Sequence, residues 1–141
     1  MNRIVYTRPD GGISIMVPAP AAQLADESDD AFVARIQAKD LPPDAINPRV
    51  VEDAEIPADR YFRNAWGNDL KVDMPKARNI HMGRIRSVRN QELAKLDIET
   101  MKGRDVQVEK QKLRDIPQTF SLTGATTPDA LKALWPVLLP R

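Results

Sequence analysis

A single histidine is the best candidate for acid–base chemistry in this 141-residue sequence. A general base needs a nucleophile and an orienting partner within hydrogen-bond reach, and no serine or cysteine adjoins His81 to serve as one. A metal centre built from several histidines is excluded by the count. His81 falls on the apolar stripe of a predicted helix, so we interpret it as a packed, structural residue.

Acidic residues are the next candidates, and they gather early in the chain: Asp26, Glu27, Asp29, Asp30, Asp40 and Asp44. A calcium-binding EF-hand loop needs a glycine and a terminal glutamate at fixed positions, and this segment has neither at that spacing. We interpret these carboxylates as helix-start charges and solvated loop residues, with no metal site. Gly11-Gly12 lacks the lysine and the spacing of a phosphate-binding loop, so it predicts a turn and no cofactor.

Neither a nucleophile–base pair nor a cofactor loop is present, so we expect a protein that is not an enzyme. The lack of cysteine excludes a disulfide framework and a cysteine-based zinc site. No apolar run reaches the roughly 18 residues of a membrane span, and the N-terminal segment MNRIVYTRPDGG has no secretory h-region. These features predict a protein used in a cytoplasm, with no membrane partner.

Charge is unevenly distributed along the chain, although the formal net charge is only +1. Residues 1–72 hold 8 Lys/Arg and 12 Asp/Glu, a net charge of −4, whereas residues 73–141 hold 13 and 8, a net charge of +5. Two interpretations stay open. Both regions are solvated surfaces, or the basic region attracts the acidic region of a second copy or of another protein. A homo-oligomer is therefore one of the predicted partners.

The first half of the chain predicts a small antiparallel sheet that carries one helix. Arg3–Thr7 and Ile13–Val17 are β-branched runs on either side of a Pro-Asp-Gly-Gly turn, which is typical of a hairpin. Ser28 is a good N-cap for a helix over Asp29–Lys39, and Arg49–Glu52 is a candidate third strand. Three strands and one helix are enough to bury a modest core.

An aromatic segment connects this sheet to the second half. Asp59 can cap a short helical turn that presents Phe62 and Trp66 at i, i+4 spacing, and Leu70–Val72 is a candidate short strand. Two interpretations stay open for Phe62, Trp66 and the later Trp135. They pack the core of this junction, or they are anchors of a protein–protein interface, where tryptophan is enriched.

The second half predicts a helical hairpin. A long helix is expected over Met74–Lys102, followed by a break at Gly103 and a second helix over Arg104–Asp115 that Pro117 ends. Thr127-Pro128-Asp129 is a strong helix start, and it predicts a short helix to Leu134. The fold class is therefore α+β: a small antiparallel β-sheet with one helix, then a helical hairpin and a short C-terminal helix. We expect two domains, 1–72 and 73–141.

Basic residues mark the start of the long helix: Lys76, Arg78, Arg84, Arg86 and Arg89. A nucleic-acid surface would need them on one stripe with aromatic residues between them, and at 100° per residue they spread around the helix. We favour an exposed basic face that meets an acidic protein surface. The predicted interface residues are accordingly Phe62, Trp66, Arg84, Arg86, Arg89 and Trp135.

Several blocks of this sequence resemble small phage and prophage proteins that are encoded among tail and tail-fibre genes. The blocks are Arg3–Pro20, Ala31–Pro42, Ile56–Trp66, Val72–His81, Leu93–Glu99 and Lys110–Pro117. The last of them, KQKLRDIP, is similar to the C-terminal signature of phage tail fibre proteins and tail assembly chaperones. In relatives the turn between the two helices tends to be longer and richer in alanine than Met101–Val106.

This resemblance implies a phage virion component or tail fibre assembly chaperone that binds other phage structural or tail proteins, and it offers no catalytic residues to carry over. It places the protein in the host cytoplasm during assembly, or in the virion. Two alternatives stay open. One is a head decoration or head–tail joining protein, and the other, of a different class, is a small nucleic-acid-binding regulator, for which binding should depend steeply on salt.

Overall fold

A three-stranded antiparallel sheet forms from the first third of the chain in the computed structural model, which describes residues 1–141. Its strands, in the spatial order β2-β1-β3, are β1 (Asn2–Thr7), β2 (Ile13–Met16) and β3 (Ile46–Glu52). The β1–β2 turn is closed by a hydrogen bond from Arg8 N to Gly12 O of 2.8 Å. Gly11 takes φ +82° there, which glycine reaches without a Cβ clash. The predicted hairpin therefore forms where the sequence places it.

Alternation of side chains along β1 gives the sheet two apolar faces. Helix α1 (Asp29–Asp40) covers one face, and its first turn is capped by Ser28 Oγ, which accepts from Ala31 N at 3.3 Å. Residues 62–72 cover the other face. The buried cluster on the helix side contains Ile4, Phe32, Val33 and Ile36, and the cluster on the opposite side contains Val5, Ile13, Val51, Trp66 and Leu70. A sheet sealed on both faces has a core despite its small size.

The aromatic segment is less regular than the sequence predicts. Asp59 Oδ1 accepts from Tyr61 N at 2.9 Å, and one 3-10 turn follows at Arg63–Ala65. The strand expected over Leu70–Val72 is reduced to a single bridge between Val72 and Trp66. Leu70 itself has φ +61°, outside the extended region that a strand requires, so the pairing ends after one residue.

Three helices form the second half of the chain: α2 (Met74–Met101), α3 (Gln107–Thr119) and α4 (Pro128–Ala133). With 28 residues, α2 is about 42 Å long. It ends at Met101, shortly before Gly103, whose φ of +88° suits glycine just after a helix end. Thr127 Oγ1 accepts from Ala130 N at 3.2 Å and caps α4, as its sequence predicts.

The prediction that Pro117 ends the second helix is wrong. The helix begins three residues later than expected, at Gln107, and continues through Pro117 to Thr119. Ile116 is buried with 4% exposure, and Phe120 N donates to Ile116 O at 2.8 Å beyond the proline. Burial of this apolar residue outweighs both costs of the proline, which are one lost helical hydrogen bond and the crowding of its ring against the preceding turn.

The predicted α+β class is confirmed: a three-stranded antiparallel sheet, a long helix pair and a short C-terminal helix are all present. The chain divides into two units, Met1–Asp73 and Met74–Arg141. The first contains the sheet and α1, and the second contains α2, α3 and α4.

Candidate functional site

Phe62 and Trp66 are core residues of the first unit. Their exposed fractions are 4% and 2%, and the Arg60 guanidinium lies 5.4 Å from the centre of the Trp66 ring. Trp66 belongs to the same buried cluster as the sheet residues Val5 and Val51. These positions correspond to the core interpretation of the aromatic segment, and the two side chains present almost no surface to a partner.

The three predicted interface arginines do not converge on α2. Arg86 is exposed, whereas Arg84 and Arg89 are half-buried, and Arg89 Nη2 donates to Asn90 Oδ1 at 2.9 Å. A further arginine of the same helix, Arg78, is directed inward, where its Nη2 donates to Ala125 O at 3.0 Å. Because they spread around the helix, these cations do not form the continuous basic stripe that would follow a nucleic-acid backbone.

Trp135 organises the C-terminal segment of the chain. Its ring is half-buried, and Nε1 donates to Pro140 O at 3.0 Å. The ring meets the His81 ring edge-on at a centroid distance of 5.7 Å. In addition, Arg141 Nη2 donates to Lys132 O at 2.8 Å. The last residues therefore fold back into a fixed turn that leaves Val137 and Leu138 exposed.

His81 anchors this turn to α2. It is fully buried, and its Nε2 lies 2.7 Å from Leu134 O. A carbonyl oxygen only accepts, so Nε2 must carry the hydrogen. This contact gives His81 the structural role that its apolar setting in the sequence predicts.

A groove lies along one flank of the α2–α3 hairpin. It has a volume of about 300 Å³, and we call it the hairpin groove. Two five-residue segments with the same pattern, Glu-x-x-Lys-Leu, line it together with Leu138: Glu92–Leu96 on α2 and Glu109–Leu113 on α3. The leucine of each segment and Leu138 form an apolar floor, and the four charged side chains form its rim. An apolar floor with a charged border is the usual composition of a surface that contacts another protein.

Sequence reasoning missed this site. The signal was present as the repeated Glu-x-x-Lys-Leu spacing, which places the acid, the base and the leucine on neighbouring positions of one helix face. Each segment by itself is an ordinary helical pattern and does not indicate a site. The two become a site only because the five-residue link 102–106 returns α3 antiparallel along α2.

Ionic contacts hold the hairpin turn in place. Glu99 accepts from Arg104 Nη1 at 2.8 Å and from Lys102 Nζ at 3.3 Å. These two hydrogen bonds, that from Arg104 first, lower the pKa of Glu99 below its usual value. Farther from the hairpin turn, Lys110 Nζ on α3 lies 2.8 Å from Asp97 Oδ1 on α2. The pair Lys110–Asp97 therefore joins α3 to α2 close to the hairpin groove.

The sheet edges are less suited to docking. On β3, Pro48 has no N–H, and Glu52 N donates to Glu55 Oε1 at 2.9 Å. On β2, Arg8 Nη1 donates to Ile13 O at 3.1 Å. Edges with missing or occupied backbone groups resist the addition of a further strand.

No group of three or more His, Cys, Asp and Glu side chains is arranged to hold a metal ion. None of the helices combines the length and the apolar character that crossing a lipid bilayer requires. No protein-family model, curated protein or solved structure matches this chain.

Proposed function

We propose that this chain is a bacteriophage tail-associated structural or assembly protein that acts through protein–protein contacts. The resemblance of its sequence blocks to small proteins encoded among tail-fibre genes supports the assignment to phage tails. The proposal places the protein in the host cytoplasm while tails assemble, and in the virion if it stays in the particle.

Exposure of large apolar side chains on the second unit carries the proposal. Val137 is fully exposed, Met101 is 87% exposed and Val108 is 66% exposed. Single exposed apolar residues are common on proteins, but these lie on the hairpin and C-terminal turn, where Ile98 and Leu138 are also more than half exposed. Large apolar side chains exposed on the hairpin and the C-terminal turn favour a protein contact.

The blocks that carry the resemblance build the framework of the chain. The first block forms the β1–β2 hairpin, and the last supplies Lys110, Leu113 and Ile116, the three buried side chains of α3. Such residues fix the shape of the surfaces around them. This role agrees with an assembly or structural function.

The test is to locate the protein during phage production. The chain carries a short affinity tag in the phage or prophage that encodes it, and virions and tail-assembly intermediates are purified separately and analysed by mass spectrometry. We expect the tagged chain in the tail fraction or bound to tail intermediates, and defective tails when its gene is deleted. Absence from both fractions together with normal tails on deletion would overturn the proposal.

Charge reversal on α2 connects the proposal to residues. The double variant Arg86→Glu with Arg89→Glu is expected to reduce the amount of tail protein that is purified with the tagged chain by about tenfold. The new glutamates would face an acidic partner surface, and like charges at an interface oppose binding. Lys39→Glu with Lys71→Glu makes the same change at exposed positions of the first unit and serves as the control. If both double variants bind the same amount of tail protein, Arg86 and Arg89 of α2 are not part of the tail contact. Recovery with heads, or salt-sensitive binding to nucleic acid, would favour one of the alternative functions instead.

A further inference from the structure

We propose that two copies of this chain pair through the hairpin groove, about a two-fold axis, to form a four-helix bundle from two α2–α3 hairpins. The inference concerns self-association and goes beyond the tail function. It depends on the packing of the second unit and on the pattern of charge around the groove.

The distal part of the hairpin lacks a second layer. All buried residues of α2 lie in its first half, at Ala77, His81 and Ile85, and residues 86–101 include none. Leu93 and Leu96 remain half-buried. Helices in proteins gain most of their stability from packing of an apolar face, and stable folds bury such faces between layers. The groove flank of this hairpin is therefore a face that remains to be covered.

Charges at the groove rim alternate in a regular way. Glu92 and Lys95 form an ion pair of 2.7 Å on α2, and Glu109 and Lys112 occupy the equivalent places on α3. Because the helices are antiparallel, the α2 side presents lysine nearer the turn and glutamate farther away. The α3 side presents glutamate nearer the turn and lysine farther away. Like charges thus stand diagonally across the groove.

This pattern is complementary to itself under a two-fold rotation. When a second groove faces the first with the axis along the groove, Lys95 meets Glu109 of the other copy, and Glu92 meets Lys112. When the axis runs across the groove, Lys95 meets Glu92 of the other copy and Glu109 meets Lys112. Both orientations set four cations against four anions, as closed two-fold interfaces require. A partner of uniform charge would instead meet two like charges wherever it bound.

Apolar side chains complete the contact. Leu96, Leu113 and Leu138 of each copy would form a shared floor between the rims. Ile98 lies one helical turn from Lys95, and Val108 one turn before Lys112, so both flank the rim. Their exposed fractions are 53% and 66%. An apolar centre with charges at its border is the usual anatomy of a protein interface.

Sedimentation equilibrium of the full chain over a wide concentration range tests the pairing. We expect a reversible monomer–dimer equilibrium. Lys95→Glu with Lys112→Glu makes the rim wholly acidic, and Glu92→Lys with Glu109→Lys makes it wholly basic. Each double variant should dimerise at least about tenfold more weakly, because like charges then face each other. An equimolar mixture of the two should recover a heterodimer, since every facing pair is again opposite in charge.

Three results would overturn the proposal: a wild-type chain that stays monomeric at all concentrations, a dimer unaffected by either double variant, or a mixture that does not recover pairing. Lys39→Glu with Lys71→Glu controls for net charge, and circular dichroism checks the helix content of each variant. Leu138→Asp gives a second route, because this side chain is 57% exposed and its replacement should weaken the dimer without unfolding the hairpin. Failure of pairing would leave the tail function untouched, since that function is tested by location in the phage.

Discussion

Lys110 and Asp97 join the two helices of the hairpin, with Nζ of the lysine 2.8 Å from Oδ1 of the aspartate. The lysine side chain is only 8% exposed, whereas the aspartate is 66% exposed. Leu113, one turn further along α3, is buried at the same seam. The aliphatic part of Lys110 therefore packs like an apolar residue, and its ammonium group reaches the surface to meet Asp97.

Substitutions at Lys110 should separate packing from charge. Lys110→Ala is expected to lower the free energy of unfolding by about 2 kcal/mol, because buried methylene groups are lost. Lys110→Met keeps most of that volume and should cost roughly 0.5 kcal/mol, the value of a surface ion pair. Urea denaturation measures both. Equal losses for the two variants would show that the ion pair, and not the packing, dominates.

Trp66 should be required for folding of the first unit. Trp66→Ala is expected to lower the free energy of unfolding by about 3–5 kcal/mol, because a large side chain leaves a cavity between the sheet and residues 62–72. Trp66→Phe keeps part of the contact and should cost less than half as much. Denaturant titration followed by circular dichroism measures both, and a stable Trp66→Ala variant would contradict the core position of this ring.

Local signals in the sequence were sufficient for most elements. The hairpin turn, the Ser28 cap and the Thr127-Pro128 start each depend on backbone chemistry within four residues, and all are present. Phe62 and Trp66 were ambiguous, because a tryptophan that fills a core and one that anchors an interface have the same neighbours in sequence. Only their 4% and 2% exposure separates the two interpretations.

Tertiary contacts decide the features that the sequence did not predict. On local grounds Pro117 predicts the end of a helix, but Ile116 is buried and the helix continues through the proline to Thr119. The hairpin groove was missed because its two segments, Glu92–Leu96 and Glu109–Leu113, lie on different helices. Their shared pattern gains meaning only once the short link fixes the antiparallel arrangement.

Acid should weaken the first unit through Glu27. Its carboxylate accepts from Arg35 Nε at 2.7 Å and from Leu24 N at 3.1 Å, and these bonds, that from Arg35 first, lower its pKa from 4.5 to about 2. A depressed pKa means that the stabilisation is complete above about pH 4.5 and is lost as the pH falls towards 2.

The measurement is the free energy of unfolding of the wild type and of Glu27→Gln from neutral pH to pH 2. The difference in free energy of unfolding between the wild type and Glu27→Gln should shrink as the pH falls from about 4.5 towards 2. Asp44→Asn, at an exposed loop position, is the matched control for the loss of one carboxylate. A constant difference between wild type and Glu27→Gln at every pH would contradict the role of the carboxylate charge.

His81 should hold the C-terminal turn on α2. His81→Phe keeps an aromatic ring but removes the donor to the part-buried Leu134 O, and the loss of one such hydrogen bond costs about 1 kcal/mol. The turn should then open more often, and the Leu139 amide, which donates to Pro136 O at 3.1 Å, should exchange its hydrogen faster. Trp135→Phe removes only the bond to Pro140 O and should have a smaller effect on stability. Unchanged exchange at Leu139 in His81→Phe would show that the turn is held by other contacts.

Two prolines of the second unit should respond to substitution with opposite signs. Pro117 lies inside α3, where its ring crowds the carbonyl of Leu113 and its missing N–H leaves that carbonyl without a helical donor. Pro117→Ala restores the hydrogen bond and should raise the free energy of unfolding by about 1 kcal/mol, even after the added freedom of the unfolded chain is counted.

Pro128 stands at the first position of α4, where no N–H is needed. Pro128→Ala should therefore lower the free energy of unfolding by about 0.5–1 kcal/mol, since only the unfolded chain gains. Urea denaturation of the two variants side by side decides the matter: a loss of stability in Pro117→Ala would mean that the proline fixes the end of α3 against α2 more strongly than its lost hydrogen bond weakens it.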